Sequence, residues 1–279
     1  MNQERNPFTQ EATIERINHF ENNQFQGDPF NAPESVKVNP WLERGKGLLI
    51  LAGFYGSQIL TGILIVILLY ASGVDETTFD SLYISYSFIA MAIVDFLIII
   101  VLAAIYWKRI KQGIKQVFSS VGMYFVKIIG YFALFWMATA FFNILDYALF
   151  PTLIEEVGEN QEMIESALTW NFSLWMVFAI CIGAPIIEEY VFRYGFIKKL
   201  LYGLNKYVAA IIAAFIFSFM HIGFAQITDI SMFVHLMLGY MGQALVFGIV
   251  YVREDNLIYP ITIHFLGNAQ AVLIITLLY

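Results

Sequence analysis

Three groups of polar residues interrupt the apolar second half of the chain, and their side chains are of types that carry out acid–base chemistry. In chain order the groups read Glu188-Glu189-Tyr-Val-Phe-Arg193, Phe217-Ser-Phe-Met-His221 and His264-Phe-Leu-Gly-Asn268. Carboxylates and imidazoles are the side chains that most often move protons in enzymes, and an amide N–H can stabilise a developing oxyanion. The residue types therefore indicate a site for proton transfer or hydrolysis.

The spacing of the first group separates its two glutamates. Glu189 and Arg193 are four residues apart, so on a helix they share a face and can compensate each other's charge. Glu188 is rotated by ~100° from Glu189 and has no local cation. We therefore expect Glu188 to act as a general base and Glu189 with Arg193 to support it. The alternative is that all three residues form a charge cluster at the end of a helix.

The two histidines extend this set. His264 and Asn268 are also four residues apart and could present an imidazole and an amide to one oxyanion. A glutamate with two histidines can also bind zinc, so Glu188, His221 and His264 are possible metal ligands. Counted along helices, these three residues fall near the middle of a hydrocarbon core that is ~30 Å thick. A histidine such as His221, taken alone, is more typical of a ring that bonds to a backbone carbonyl.

Four further ionisable residues lie in apolar stretches, where each needs an explanation. We expect Asp95 either to link helices or to pair with a cation, and Lys127 to reach the membrane interface. We expect Asp146 to be solvated near the outer end of its helix. His235 has no polar companion one turn away, so we expect a histidine satisfied within the core or at the interface.

The composition excludes a water-soluble protein. The chain has 279 residues, of which 59% are hydrophobic and 13% charged, whereas a soluble domain is roughly 25% charged. The net charge of −7 and the absence of a basic stripe disfavour nucleic-acid binding. We predict an all-α fold, a polytopic membrane helical bundle of about seven transmembrane helices. The predicted spans are Leu48–Ala71, Leu82–Trp107, Ile128–Phe150, Trp170–Ile187, Tyr207–Ile227, Ser231–Val252 and Leu257–Tyr279.

The fourth span carries the two glutamates and is predicted to be irregular. We expect its helix to continue through Leu201. Gly183 and Pro185 precede Glu188, and a proline removes one backbone donor and clashes with the preceding turn. The resulting kink would turn backbone carbonyls toward a cavity, since irregular backbone is tolerated at this depth only where protein or water satisfies it.

Two regions follow from this division of the chain. We expect residues 1–47 to form a polar cytoplasmic tail, with a short amphipathic stretch at 12–20 followed by prolines that indicate irregular chain. Residues 48–279 form the transmembrane domain, with the functional core at about 170–279.

These motifs resemble those of the CPBP family of intramembrane peptidases, which includes type II CAAX prenyl endopeptidases and bacteriocin-processing or immunity proteins. The three groups of residues correspond to the family's Glu-Glu-x-x-x-Arg, Phe-x-x-x-His and His-x-x-x-Asn motifs, over about residues 170–279. One departure is Tyr194, where family members often have glycine. Its side chain could narrow the cavity.

The resemblance implies hydrolysis of a peptide bond within the membrane. Glu188, helped by His221, would activate a water, and His264 with Asn268 would stabilise the oxyanion. Glu189 and Arg193 would hold the helix in place. If a divalent metal such as zinc takes part, its ligands would be Glu188, His221 and His264.

Two alternatives belong to other functional classes. The first is a non-proteolytic membrane scaffold or bacteriocin-immunity protein of the same fold, because folds outlive their chemistry. The second is a proton-coupled transporter, which the lack of an internal repeat disfavours.

The expected partners are the lipid bilayer and a membrane-embedded or lipidated peptide or protein substrate. The expected location is a bacterial cell membrane, which the chain would cross several times. Five glutamates in the 151–169 loop would repel an anionic peptide. We therefore expect substrate to enter from the cytoplasm or the inner leaflet.

The distribution of positive charge predicts that the N-terminus is cytoplasmic and that Tyr279 lies outside. The loops at 72–81, 151–169 and 228–230 contain no lysine or arginine, and cytoplasmic loops are enriched in both. A reporter that fluoresces only in the cytoplasm, fused after Tyr279, should remain dark, while the same reporter fused before Met1 should fluoresce. Fluorescence of the Tyr279 fusion would reverse the topology.

Overall fold

Seven helices make up the fold of the computed structural model, which describes residues 39–74, 76–153, 158, 161–162, 164–165, 174–222, 226–227 and 229–278. No strand occurs in these ranges. The helices are α1 (Pro40–Ala71), α2 (Glu76–Ser119), α3 (Val121–Leu149), α4 (Leu174–Leu200), α5 (Lys206–Phe219), α6 (Ile230–Glu254) and α7 (Ile258–Leu278).

Six of these helices are long and apolar enough to cross a membrane, which confirms the predicted all-helical, polytopic membrane bundle. The orientation of the termini stays a prediction. The amphipathic stretch at 12–20 and most of the 151–169 loop lie outside the described residues.

The first two helices extend beyond the apolar segments that predicted them. Helix α1 begins at Pro40, where the Asn39 side chain caps the helix by accepting a hydrogen bond from the Trp41 N–H at 2.9 Å. Proline in the first helical turn is favourable, because that turn needs no backbone donor there. Helix α2 continues to Ser119 through a kink at Tyr106, whose ψ is 18°. Hydropathy missed these extensions because they are polar.

Helix α4 is continuous through Leu200 and contains two π-helical stretches. This agrees with the irregularity that the sequence predicted for it. The first stretch is Ala179–Gly183, immediately before Pro185, and the second is Tyr190–Leu200. A π-turn shifts the hydrogen-bonding register, so backbone carbonyls become available to other partners. Helix α4 therefore carries Glu188 between two irregular segments.

The fifth predicted span, Tyr207–Ile227, is wrong at its C-terminal end. Helix α5 ends at Phe219 after 14 residues, about 21 Å, which is shorter than a hydrocarbon core. The chain beyond it tightens into a turn in which the His221 and Ile222 N–H groups donate to carbonyls three residues earlier. Apolar residues continue past Phe219, so hydropathy alone could not show that the helix stops.

Small residues allow α6 to pack closely on both α3 and α5. A Cβ added at Gly242 would lie 2.8 Å from the Ala138 carbonyl oxygen of α3, and one at Gly248 would lie 3.2 Å from the Ala210 Cβ of α5. Close approach through small residues is typical of helix packing in membranes, where lipid tails are as apolar as leucine. Helix α6 is accordingly the central element of this half of the bundle.

One end of the bundle carries a concentration of ion pairs, and we call it the basic end. Glu43 accepts hydrogen bonds from both Lys46 and Lys199, and Asp255 accepts from Arg109 at 2.9 Å and Lys198 at 2.7 Å. These pairs join α1 to α4, and they join α2 and α4 to the residue that follows α6.

Lys127 also pairs at this end, with Glu254 at 2.7 Å. Lys127, which was expected to reach the membrane interface, is therefore held in an ion pair with Glu254.

Substitution of Gly242 tests the packing of α6 against α3. Gly242→Ala should destabilise the protein by about 1–3 kcal/mol, because its new methyl group would meet backbone atoms that cannot move aside. Gly239→Ala on the same helix is the matched control, since a Cβ there meets no atom within 4 Å. Thermal unfolding in detergent measures both. Equal melting temperatures for the two variants would contradict the close contact.

Candidate active site

A cavity of about 350 Å³ brings together the four residues predicted to be catalytic. Glu188 comes from α4, His221 from the turn after α5, and His264 and Asn268 from α7. Phe135 and Thr139 of α3 line the facing wall. Three separated segments of sequence therefore meet at one place, as predicted, while the catalytic roles of these residues stay predictions.

The Glu188 carboxylate lies between the two histidines. Its Oε2 atom is 3.9 Å from His221 Nε2 and 3.8 Å from His264 Nε2, which is too far for direct hydrogen bonds. The same Oε2 atom is buried and has no hydrogen-bond partner among the described residues. A buried carboxylate oxygen without a partner is costly, and one water molecule would fit the spacing, with its two protons donated to Glu188 Oε2 and to one histidine nitrogen.

Each histidine is oriented by a bond from its other ring nitrogen. His221 Nδ1 donates to the Phe217 carbonyl oxygen at 2.7 Å, and His264 Nδ1 lies 3.1 Å from Glu189 Oε1. Because a carbonyl and a carboxylate are both acceptors, we assign the ring proton to Nδ1 in each case. Nε2 of both rings then points toward Glu188 and, in the neutral ring, can accept a proton.

Glu189 pairs with Arg193, as the sequence predicted. Arg193 Nε lies 2.9 Å from Glu189 Oε2, and both side chains are 0% exposed. The contact lacks the angle of a hydrogen bond, so it is a close charge pair. The guanidinium carbon also lies 5.2 Å from the Phe217 ring centre and 5.6 Å from that of Phe247. These aromatic faces provide the cation with favourable surroundings in a buried position.

Sequence reasoning did not identify the second role of Glu189, which is to hold His264. One carboxylate oxygen faces Arg193 and the other faces His264 Nδ1. Glu189 and His264 are 75 residues apart, so helical spacing carries no signal of this contact. Glu189 therefore links α4 to α7 and fixes the histidine ring beside Glu188.

Aromatic rings complete the walls around the histidines. The His264 ring stacks on Phe247 with centroids 4.6 Å apart, and His221 lies between Phe217 at 4.4 Å and Tyr240 at 4.8 Å. None of these aromatic residues except Phe217 belongs to a recognisable motif. Their packing limits the rotation of both imidazoles, so the Nε2 atoms keep their direction.

Asn268 uses part of its amide to bind the irregular segment of α4. Its Nδ2 donates to the Ile180 carbonyl oxygen at 2.8 Å, within the π-helical stretch before Pro185. This is the available carbonyl that the predicted kink required. Because the amide nitrogen has two protons, one remains for a ligand in the cavity.

Asp146 has different surroundings from those expected, and its partner is His235. Asp146 is not solvated: its Oδ2 lies 2.9 Å from His235 Nδ1, and their side chains are 14% and 9% exposed. The two residues are 89 apart in sequence, so neither could reveal the other. His235 is satisfied, as expected, but by an acid from α3.

Asp95 lies at a helix contact, the first of the two roles considered for it. It is 2% exposed, and a Cβ on Gly183 would lie 2.5 Å from its Oδ2. The Gln58 side chain of α1 interacts with it. Asp95 therefore contributes to the packing of α1, α2 and α4.

Tyr194 lies outside the cavity, so the expectation that it narrows the cavity is wrong. Its ring packs at the basic end, with the Arg109 guanidinium carbon 5.0 Å and Lys199 Nζ 5.2 Å from its centre. Its position on the helix, six residues after Glu188 and within a π-helical stretch, turns the side chain away from the site.

The geometry does not fit a zinc site built from Glu188, His221 and His264. In a tetrahedral site with bonds of ~2.1 Å the ligand atoms are ~3.4 Å apart, whereas here the carboxylate oxygen is 3.8 Å and 3.9 Å from the two nitrogens. Within the described ranges no group of three His, Cys, Asp or Glu side chains is placed to hold a metal ion. We therefore derive the chemistry from the side chains alone.

The cavity extends away from the basic end of the bundle. Its lining continues from Glu188 to Ile275 near the end of α7, and to Gln161 and Ile164 of the connection between α3 and α4. In the predicted topology this is the outer half of the membrane. The lining does not test the side from which a substrate enters, so entry from the cytoplasm or the inner leaflet stays a prediction.

The Glu189–Arg193 pair makes a prediction about stability. Glu189→Ala should reduce stability by about 3–5 kcal/mol, because it leaves a fully buried guanidinium without its partner. Glu162→Ala, at an exposed acid outside the cavity, is the matched control and should unfold like the unchanged protein. The yield of folded protein and the melting temperature in detergent measure the effect. A Glu189→Ala variant as stable as the control would show that Arg193 does not depend on Glu189.

Residues 169–270 match the family described as type II CAAX prenyl endopeptidase Rce1-like. No curated protein and no solved structure matches the chain. The matched segment contains all three motifs, and so the four residues predicted to be catalytic and the two predicted to support them. Helices α1, α2 and α3 lie outside it. Over residues 169–270 the chain thus matches the Rce1-like family of type II CAAX prenyl endopeptidases, which confirms the resemblance seen in its motifs.

Proposed function

We propose that the protein is an intramembrane endopeptidase that uses a glutamate-activated water. The observation that carries this proposal is the position of Glu188 Oε2, buried without a hydrogen-bond partner and facing the Nε2 atoms of two oriented histidines. The match to an endopeptidase family supports the same reaction class.

In the first step, a water molecule between the three side chains attacks the substrate carbonyl carbon through its oxygen. As it attacks, the water gives a proton to the Glu188 carboxylate. His221 Nε2 accepts a hydrogen bond from the same water and orients it, because its Nδ1 proton is committed to the Phe217 carbonyl. A positioned general base of this kind contributes roughly 10²–10⁴-fold to a rate.

In the second step, the carbonyl oxygen becomes an oxyanion that the remaining Asn268 N–H can stabilise. His264 Nε2 can donate to it as well, but only in the doubly protonated ring, since Nδ1 already donates to Glu189. The oxyanion itself compensates that positive charge, since the charge of Glu189 is already offset by Arg193. The C–N bond then breaks, and the leaving nitrogen takes the proton held by Glu188, which restores the carboxylate.

The substrate we propose is a prenylated or otherwise lipidated peptide held in the bilayer. The matching family is described as a type II CAAX prenyl endopeptidase, and the cavity lies among helices that are long enough to span a membrane. The cavity wall on α3 is partly open to the bilayer at Trp136, which is 42% exposed. A substrate anchored by an apolar group would therefore approach from the membrane and present its peptide to Glu188.

Glu188→Gln tests the general base. This variant keeps the shape and hydrogen-bonding capacity of the side chain, so the protein should fold normally while cleavage falls by at least about 100-fold. The measurement uses purified protein in vesicles with a quenched fluorescent peptide that carries a farnesylated Cys-aliphatic-aliphatic-X terminus.

Glu162→Gln is the control and should cleave at the unchanged rate, because this exposed acid lies outside the cavity. Full activity of Glu188→Gln would show that another group activates the water. Cleavage by neither the unchanged protein nor the control would favour the non-proteolytic scaffold.

A further inference from the structure

A second cavity lies between α1, α2 and α4, and among the described residues it shares no lining side chain with the candidate active site. Its volume is about 510 Å³, and its walls are formed mainly by aliphatic side chains. Ile187 and Val191 of α4 form part of the lining and are buried, while Leu97 and Val101 of α2 are more than half exposed. We call this cavity the apolar groove.

The apolar groove has the length of one lipid chain. On α2 its lining runs from Val94 to Tyr106, which is twelve residues or ~18 Å along a helix. One leaflet of a bilayer contributes about half of a ~30 Å hydrocarbon core. An acyl chain of the leaflet at the basic end would therefore fill the groove from end to end.

The polar end of the groove lies at the basic end of the bundle and is lined by Lys46, Tyr106 and Tyr190. The Lys46 amine lies 2.6 Å from Glu43, and the same carboxylate also bonds to Lys199. Two cations thus share one carboxylate, so the three side chains together carry one net positive charge.

A second trio repeats this arrangement nearby. Arg109 and Lys198 share the Asp255 carboxylate, and the Arg109 guanidinium and Lys199 both lie over the ring of Tyr194. The two trios are therefore neighbours, and each has more cations than acids. This excess of positive charge favours an anionic group at the mouth of the groove.

We propose that the apolar groove binds an anionic phospholipid of the leaflet at the basic end. One acyl chain lies against Ile187 and Val191, and the phosphate contacts Lys46. Lipid tails are as apolar as the groove walls, so the acyl chain alone gives little preference over bulk lipid. Selectivity comes from the headgroup, as in other basic pockets between transmembrane helices. The inference does not rest on peptidase activity.

Native mass spectrometry tests the proposal on the purified full chain in mild detergent with equal amounts of dioleoyl phosphatidylglycerol and dioleoyl phosphatidylcholine. We expect the protein to retain one phosphatidylglycerol in preference to phosphatidylcholine. Lys46→Gln should lower that preference by about fivefold, the effect expected for one cation near a headgroup.

Two glycines of α1 provide a matched pair of variants. Gly53 lines the groove, Gly56 does not, and a Cβ at either position meets no atom within 4 Å. Both Gly53→Phe and Gly56→Phe should therefore fold, which their melting temperatures would check. Gly53→Phe should fill the groove and remove the retained lipid, whereas Gly56→Phe should keep it.

Three results would overturn the proposal: equal retention by the two phenylalanine variants, equal retention of the two lipids, or retention of neither. A Gly53→Phe variant that keeps the phosphatidylglycerol but loses affinity for the farnesylated peptide would also overturn it. That outcome would assign the groove to the substrate.

Discussion

The charge pair between Glu189 and Arg193 is fully buried in the bundle, and the candidate site is arranged around it. Ionised groups at this depth are costly unless they are paired and surrounded by favourable contacts. Here Arg193 is enclosed by the rings of Phe217 and Phe247, while Glu189 divides its two oxygens between Arg193 and His264. The pair therefore constrains the positions of α4 and α7, and it leaves the neighbouring Glu188 as the carboxylate without a cation.

Helix α4 can serve this site because it is not a regular helix. The π-helical stretch before Pro185 makes the Ile180 carbonyl available to Asn268, which ties α7 to α4 a second time. Backbone irregularity in a membrane is stable where protein groups satisfy it, and the Asn268 amide does so. The same bond fixes the amide near the histidines, so the feature that interrupts the helix also orders the site.

The cavity is shaped by helices that lie outside the segment matching the family. The proposed chemistry comes from residues 169–270, but Met91, Phe135 and Thr139 of α2 and α3 line the space that a substrate would occupy. The same two helices also carry many exposed apolar side chains.

The sequence by itself determined the features that depend on local spacing and on composition. Apolar length predicted most of the membrane helices, and the four-residue interval between Glu189 and Arg193 predicted their pairing, because backbone geometry alone sets which residues share a helix face. Pro185 likewise predicted the irregularity of α4.

Only the tertiary structure decided the contacts between helices. The contacts of Glu189 with His264, of Asp146 with His235, and of the Tyr240 ring with His221 join residues that are separated in sequence. The end of α5 at Phe219 was also not predictable from the sequence, since the residues beyond it are apolar enough to continue a helix. Each of these depends on how helices pack in three dimensions, and neither helical periodicity nor hydropathy contains that information.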